Sequence, residues 1–311
     1  MPSPRFTPPA APRRPGPVLA SLVAAALAVA VLVVWAVQDR AAPPARGSTL
    51  QPARLRPPAA ELRSRLPFDP LLRTPAETAR RVHEAEQRLI TACMARHGFR
   101  YQAAPSTRAG TAGGGPGQFG IDTLTPRSAA EPPGAQPSER PRGKAFTRAL
   151  YGDPKQKISA RNKAISVQGS ATGCVAEAQT RLLGAGGPQR ELTLRVRLDQ
   201  GERDALQALA RDSAYRRATD RWRACVRQAG ITAKDPRHLA AGLRPDKPLA
   251  AQPAARADLA CKQTTGYLRQ AYGRLAVMQQ RWLEAHRETE TAWKALRKRK
   301  ADAAARVLDR P

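Results

Sequence analysis

Two of the four cysteines in this 311-residue chain stand in one repeated frame, and that repeat limits the fold more than any other feature. Residues 90–101 read ITACMARHGFRY, and 222–232 read WRACVRQAGIT. Each has Ala-Cys, then an apolar residue, then Gly five places after the Cys and an apolar residue after the Gly. Glycine just past an apolar-periodic run marks a helix C-terminus, because it accepts the left-handed conformation there. Cys93 and Cys225 are therefore expected to end helices. The other two cysteines, Cys174 in GCVAEAQTRLL and Cys261 in ADLACKQTTGYLRQAY, are expected to begin them. Four cysteines allow three pairings, and the repeat favours Cys93–Cys174 and Cys225–Cys261. Closing loops of 81 and 36 residues stabilises by about 4 kcal/mol each if the gain is loop entropy.

Other uses of these cysteines fit less well. A zinc site wants closely spaced Cys or clustered Cys and His, and no such spacing occurs. Cys93 and His97 share a helical face, but a His beside a terminal Gly suits the helix dipole. Four thiols in matched frames are a poor design for one nucleophile. Disulfides belong to oxidising compartments, which places the cysteine-bearing region outside the cytoplasm.

The expected fold is mostly α. TPAE at 74–77 reads as a capping box, with Thr74 as cap, Pro75 at the first helical position and Glu77 reaching back. That helix is expected to run to about His97, and a second from Cys174 to the glycines at 184–187. LTLRVRLD at 192–199 alternates like a strand, but without a second strand to pair with, helix is preferred. A third helix is expected over 202–229, then a Pro-rich loop. The last, over 254–306, is expected to be the longest. Its seam, Leu268, Ala271, Leu275, Met278, Trp282, Ala285, Thr289, Ala292 and Leu296, keeps a heptad alternation. Packing within a bundle is the simpler use of that seam, and a homodimeric coiled coil is the alternative.

Composition separates folded from unfolded stretches. Residues 103–143 have few large apolar side chains among many Gly, Pro and Ser, so burial does not offset the entropy of ordering them. They are read as a flexible insertion in a helical domain spanning 74–306. Residues 18–37, VLASLVAAALAVAVLVVWAV, carry no charge. Twenty residues at about 1.5 Å each span the hydrocarbon core of a bilayer, and the run is long for a cleaved signal. A transmembrane helix is expected there, between a basic Pro-rich tail (1–17) and a Pro/Arg-rich linker (38–73). Flanking arginines are nearly balanced, with Arg5, Arg13 and Arg14 before the run and Arg40, Arg46, Arg54 and Arg56 after it, and lean against a C-terminus outside. The cysteines outweigh that count and favour a plasma-membrane protein with its C-terminal domain outside.

The net charge is +28, with 53 basic residues against 25 acidic. Such a surface attracts polyanions: anionic envelope polymers, lipid headgroups or nucleic acid. Recognisable catalytic machinery is missing from the sequence. GPGQFG at 115–120 matches a dinucleotide-binding pattern, but lies in the Pro/Gly stretch without flanking strand and helix. HEAEQ at 83–87 lacks a second zinc-ligand His, and RKRK at 297–300 reads as a solvated helix end. No cofactor or metal ligand is assigned.

The Cys frames, with KAFTRALYGD, GCVAEA, RWRACVRQAG and ADLACKQTTG, resemble a group of Streptomyces-type actinobacterial proteins that are membrane-anchored or secreted and carry a four-cysteine helical domain. The resemblance covers about 75–305. It implies a cell-envelope location in a Gram-positive host and nothing catalytic. The expectation is a single-pass envelope protein whose outer domain binds or scaffolds. The alternative is a membrane-tethered, cytoplasm-facing protein that binds nucleic acid.

Overall fold

The computed structural model describes residues 57–103, 117–124 and 143–309, all within one unit spanning 52–311. The 18–37 run and the 1–17 tail lie outside the described residues, as does most of the 103–143 insertion. Among the described residues no helix is long and apolar enough to cross a membrane.

The fold is mostly helical. Helices α1 (Ala59–Ser64), α2 (Asp69–Leu72) and α3 (Ala76–Arg96) come first, then α4 (Lys144–Tyr151). A hairpin of β1 (Lys157–Arg161) and β2 (Ser166–Ser170) precedes α5 (Gly173–Leu183), α6 (Gly187–Arg211) and α7 (Ser213–Gln228). The chain ends with α8 (Pro236–Ala241), a 3₁₀ turn (Leu249–Ala251), α9 (Pro253–Thr264), α10 (Tyr267–Ala285) and α11 (Arg287–Leu308).

The main core gathers α7, α9 and α10 around Trp222, Leu259, Tyr267 and Leu275, none more than 2% exposed. A smaller core joins α3, α4 and α5 through Ile90, Met94, Phe146, Leu150 and Ala178. In a third cluster, Phe68 and Leu71 pack with Leu198, Leu283 and Trp293.

Both repeated frames are helix ends of one type. Gly98 and Gly230 have φ of 77° and 75°. The Phe99 amide donates to Met94 O (3.0 Å) and the Gly98 amide to Ala95 O (2.9 Å); Ile231 and Gly230 repeat this with Val226 (3.0 Å) and Arg227 (2.9 Å). This is the Schellman motif. The apolar residue after each Cys is its buried anchor, since Met94 and Val226 are both 0% exposed.

Elsewhere the structure corrects the sequence reading. The capping box does not form: Pro75 is the cap residue without a side-chain bond, and Glu77 pairs with Arg80 instead. The 202–229 helix breaks at Asp212, whose carboxylate accepts from the Tyr215 amide (2.8 Å) and pairs with Arg274 (2.6 Å). The helix expected over 254–306 is three helices. Thr264 and Thr265 hydroxyls bond back to Ala260 and Cys261 carbonyls, and Gly266 at φ 62° ends α9. His286 leaves the helical region, its ring bonded to Trp282 O (2.8 Å). The heptad seam is thus cut twice. Leu268, Ala271, Leu275, Met278, Thr289 and Leu296 are buried within the chain, which leaves no continuous face there for a coiled coil with a second copy.

The 192–199 segment is helical, inside α6, and the strands lie elsewhere. In β1–β2, Asn162 Oδ1 accepts from Ala164 (2.8 Å) and Ile165 (3.0 Å) amides to make the turn, and its Nδ2 donates to Val196 O (3.0 Å) on α6. The outer edge of β1 is bonded rather than open: Gln189 takes the Ser159 amide and donates to its carbonyl.

Two stretches read as unfolded are folded in part. Residues 59–72, assigned to the linker, bury Leu62, Leu66, Phe68 and Leu71, and the Phe68 amide donates to buried Gln279 (3.1 Å). Residues 117–124, assigned to the flexible insertion, bury Phe119, Ile121 and Leu124. Three large apolar residues in eight were enough.

Candidate functional site

The four predicted site residues form two disulfides. Cys93 in the last turn of α3 bonds Cys174 in the first turn of α5, with Cα atoms 5.5 Å apart. Cys225 in the last turn of α7 bonds Cys261, with Cα atoms 5.7 Å apart. Cys261 lies late in α9, not at its start as expected. Among the described residues, the one grouping of potential metal-ligand atoms is Cys93, His97 and Cys174. Its sulfurs are bonded to each other, so only His97 would be left to coordinate. His238 belongs to no such group; it lies on α8, whose first turn is capped by Asp235.

The other motifs are absorbed by the fold. The GPGQFG glycines at 117 and 120 form a tight bridge. Phe119 between them enters a ring of tyrosines, edge-on to Tyr272 at 4.8 Å, with Tyr215 and Tyr267 at 6.0 and 6.2 Å. Beside it lies the most deeply buried charge pair. Lys262 Nζ donates to Asp258 Oδ2 (2.7 Å) and to Ile121 O (2.6 Å), while Trp222 Nε1 donates to Asp258 Oδ1 (3.0 Å). Burial pushes the Asp258 carboxyl up to about 6 even with Lys262 beside it, and pulls the Lys262 ammonium below its usual range. Both Asp258 oxygens and two of the three Lys262 protons are spent on protein partners, so the cluster is a clasp for residues 117–124. Arg63 adds an ion pair to Asp122 (3.1 Å).

RKRK is not a helix end, because α11 continues to Leu308. Lys298 pairs with Asp302 (2.7 Å), and Lys300 with both oxygens of Glu191 (2.8 and 3.0 Å). Arg297 turns inward. Its Nη1 donates to Pro70 O and Leu71 O (both 2.8 Å), its Nη2 to Arg73 O (3.1 Å) and Thr74 Oγ1 (2.9 Å). These groups close the C-terminal end of α2.

Arg297 also lines a cleft of about 610 Å³ between α3, the hairpin, α5, α6 and α11, within the size range of small-molecule sites. Half-buried Leu72, Val82, Ile158 and Leu192 form its apolar wall. Its charged lining is Arg195, Arg297 and Lys300 with Glu86 and Glu191; Glu86 accepts from Gln179 at 3.4 Å. Among the described residues, no carboxylate lies within ion-pair distance of Arg297. Burial, and then the charge of Arg195, pull its guanidinium below its usual range, with a partial offset from Glu191. Thr74, Thr78 and His83 also line the cleft, and its mix of apolar wall and charged groups suits ligand binding. Sequence reasoning missed it, because its residues come from seven elements and RKRK reads as a surface run.

No protein family, no curated protein and no solved structure matches this chain.

Proposed function

We propose that the chain is a single-pass membrane protein, held by residues 18–37, whose helical domain stands outside the cytoplasm and binds or scaffolds. A Gram-positive, actinobacterial envelope is the setting that goes with this reading. The observation that carries it is the disulfide bonding of all four cysteines. Two bridges closing loops of 81 and 36 residues contribute only where thiols are oxidised. Anionic envelope polymers and lipid headgroups are the partners that the +28 charge would draw. The test is protease treatment of intact protoplasts together with non-reducing peptide mapping of native material. A domain shaved from outside and two mapped disulfide peptides are expected. A protected domain with four free thiols sinks the reading.

The same charge supports a second reading, a cytoplasm-facing domain that binds nucleic acid. It expects free thiols, and DNA binding that falls steeply between about 50 and 200 mM salt.

A further inference from the structure

We infer that the cleft between α3, the hairpin, α6 and α11 binds a small amphiphilic anion, a carboxylate or phosphate carried on an apolar body. This deepens the proposed binding role and rests on it.

The charge arrangement is the first argument. Arg297 makes four hydrogen bonds, all to neutral oxygens. Two of the acidic groups nearby are already engaged by cations: Glu191 takes Lys300 through both oxygens, and Asp199 takes Arg195 at 3.3 Å. Glu86, also in the lining, accepts from the neutral Gln179 amide at 3.4 Å and lies beyond ion-pair distance of Arg297. Arg297 and Arg195 therefore face the same space with like charge and no carboxylate shared between them. Arg297 has one guanidinium donor left, Nε, and among the described residues Lys300, with three protons, donates to one acceptor residue, Glu191. A bound anion would give Arg297 the direct carboxylate or phosphate partner it lacks, where partial desolvation makes each charge-assisted bond count for more.

Shape and polarity are the second argument. A free inorganic ion would fill only a small part of about 610 Å³. The rest is bounded by Leu72, Val82, Ile158 and Leu192, each keeping some exposed surface. Covering that surface is favourable for an apolar body. The glutamines at 168 and 179 on the rim add polar contacts without charge.

The test is calorimetric titration of the full chain in nanodiscs, with empty nanodiscs as blank. The probes are 4-phenylbutyrate, phenyl phosphate, inorganic phosphate and the neutral 4-phenylbutyramide. Saturable binding is expected for the two aromatic anions, and the tighter of them identifies the head group. Inorganic phosphate is expected to bind at least about tenfold more weakly, and the amide likewise, each having lost one half of the recognition. Arg195→Gln, on an exposed side chain, and Arg297→Gln are expected to weaken the anions by about tenfold. Since Arg297→Gln also uncaps α2, Val82→Trp serves as a second variant: it fills the cleft, leaves every charge in place and is expected to abolish binding. Equal binding of amide and anions, anion affinity unchanged in Arg195→Gln and Val82→Trp, or no saturation by either aromatic anion overturns the inference. Failure here while protoplasts are still shaved leaves the topology standing, whereas binding by a protected domain overturns the topology alone.

Discussion

At the scale of single residues, the Asp258–Lys262 pair carries the clearest consequence. A pair four apart on a helix is ordinarily a solvated one worth little, and nothing in the sequence of α9 distinguishes it. Burial does: both side chains are 0% exposed. Taking one partner away strands the other charge without water, which costs about 3–5 kcal/mol. Lys262→Met is therefore expected to lower unfolding stability by that order at pH 7, measured by urea denaturation. The pH dependence has a definite sign. Asp258 titrates near 6 in the folded chain and in the ordinary carboxylate range when unfolded, about 4. Protons thus bind the folded state more tightly, and this group's contribution falls as pH rises from about 4 through 6, then stays level. With Lys262 gone, only the Trp222 hydrogen bond still opposes desolvation, and the fall should extend above pH 6. An unchanged pH profile in Lys262→Met would show that the pair is not buried as described.

At the scale of elements, helix ends were the most legible feature and helix interiors the least. The ACMARHGF and ACVRQAGI frames announced two Schellman ends because glycine, apolar anchor and apolar follower are all local requirements. The breaks at Asp212 and Gly266 were also written locally, as an Asp cap and a Thr-Thr-Gly stop, but a continuing apolar period masked them. The break at His286 depends on Trp282, whose ring stacks on His286 at 4.0 Å, and had no comparable local mark. The hairpin was missed because the alternation in β1 and β2 is short, resting on Ile158, Ala160 and Val167 alone; the only Asn of the chain and the amide of Gln189 help to hold it. A clean measurement is available at the frames. A Cβ at Gly98 or Gly230 meets nothing within 4 Å, so only the positive φ opposes it. Gly98→Ala and Gly230→Ala are each expected to cost about 1–2 kcal/mol, the penalty of the left-handed conformation for an L-residue, with Asn in either place costing less. A shift in denaturation midpoint with unchanged slope would report it.

At the scale of the whole molecule, the two disulfides do different work although their frames match. Loop entropy alone makes them near equals, at about 4 kcal/mol each. Their surroundings do not. Cys225–Cys261 ties α7 to α9 at the main core, with Cys261 buried in it and half-buried Cys225 packed against it, and Cys261 adjoins the Lys262 clasp on residues 117–124. Cys93–Cys174 sits in the smaller core of α3, α4 and α5, on a loop that includes the long stretch between α3 and α4. Opening the second bridge leaves α3 and α5 still packed on α11 through Ala85, Leu182, Ala303 and Ala304. Cooperative units open separately when they share few buried contacts. Replacing Cys225 and Cys261 by Ser is therefore expected to lower the global unfolding midpoint and speed amide exchange throughout the main core. Replacing Cys93 and Cys174 is expected to speed exchange mainly in α4 and in the facing turns of α3 and α5, with the amides of α7, α9 and α10 still exchanging at wild-type rates. Hydrogen exchange read by mass spectrometry separates these patterns. Equal loss of protection in both cores from either pair of substitutions would mean that the two cores unfold as one.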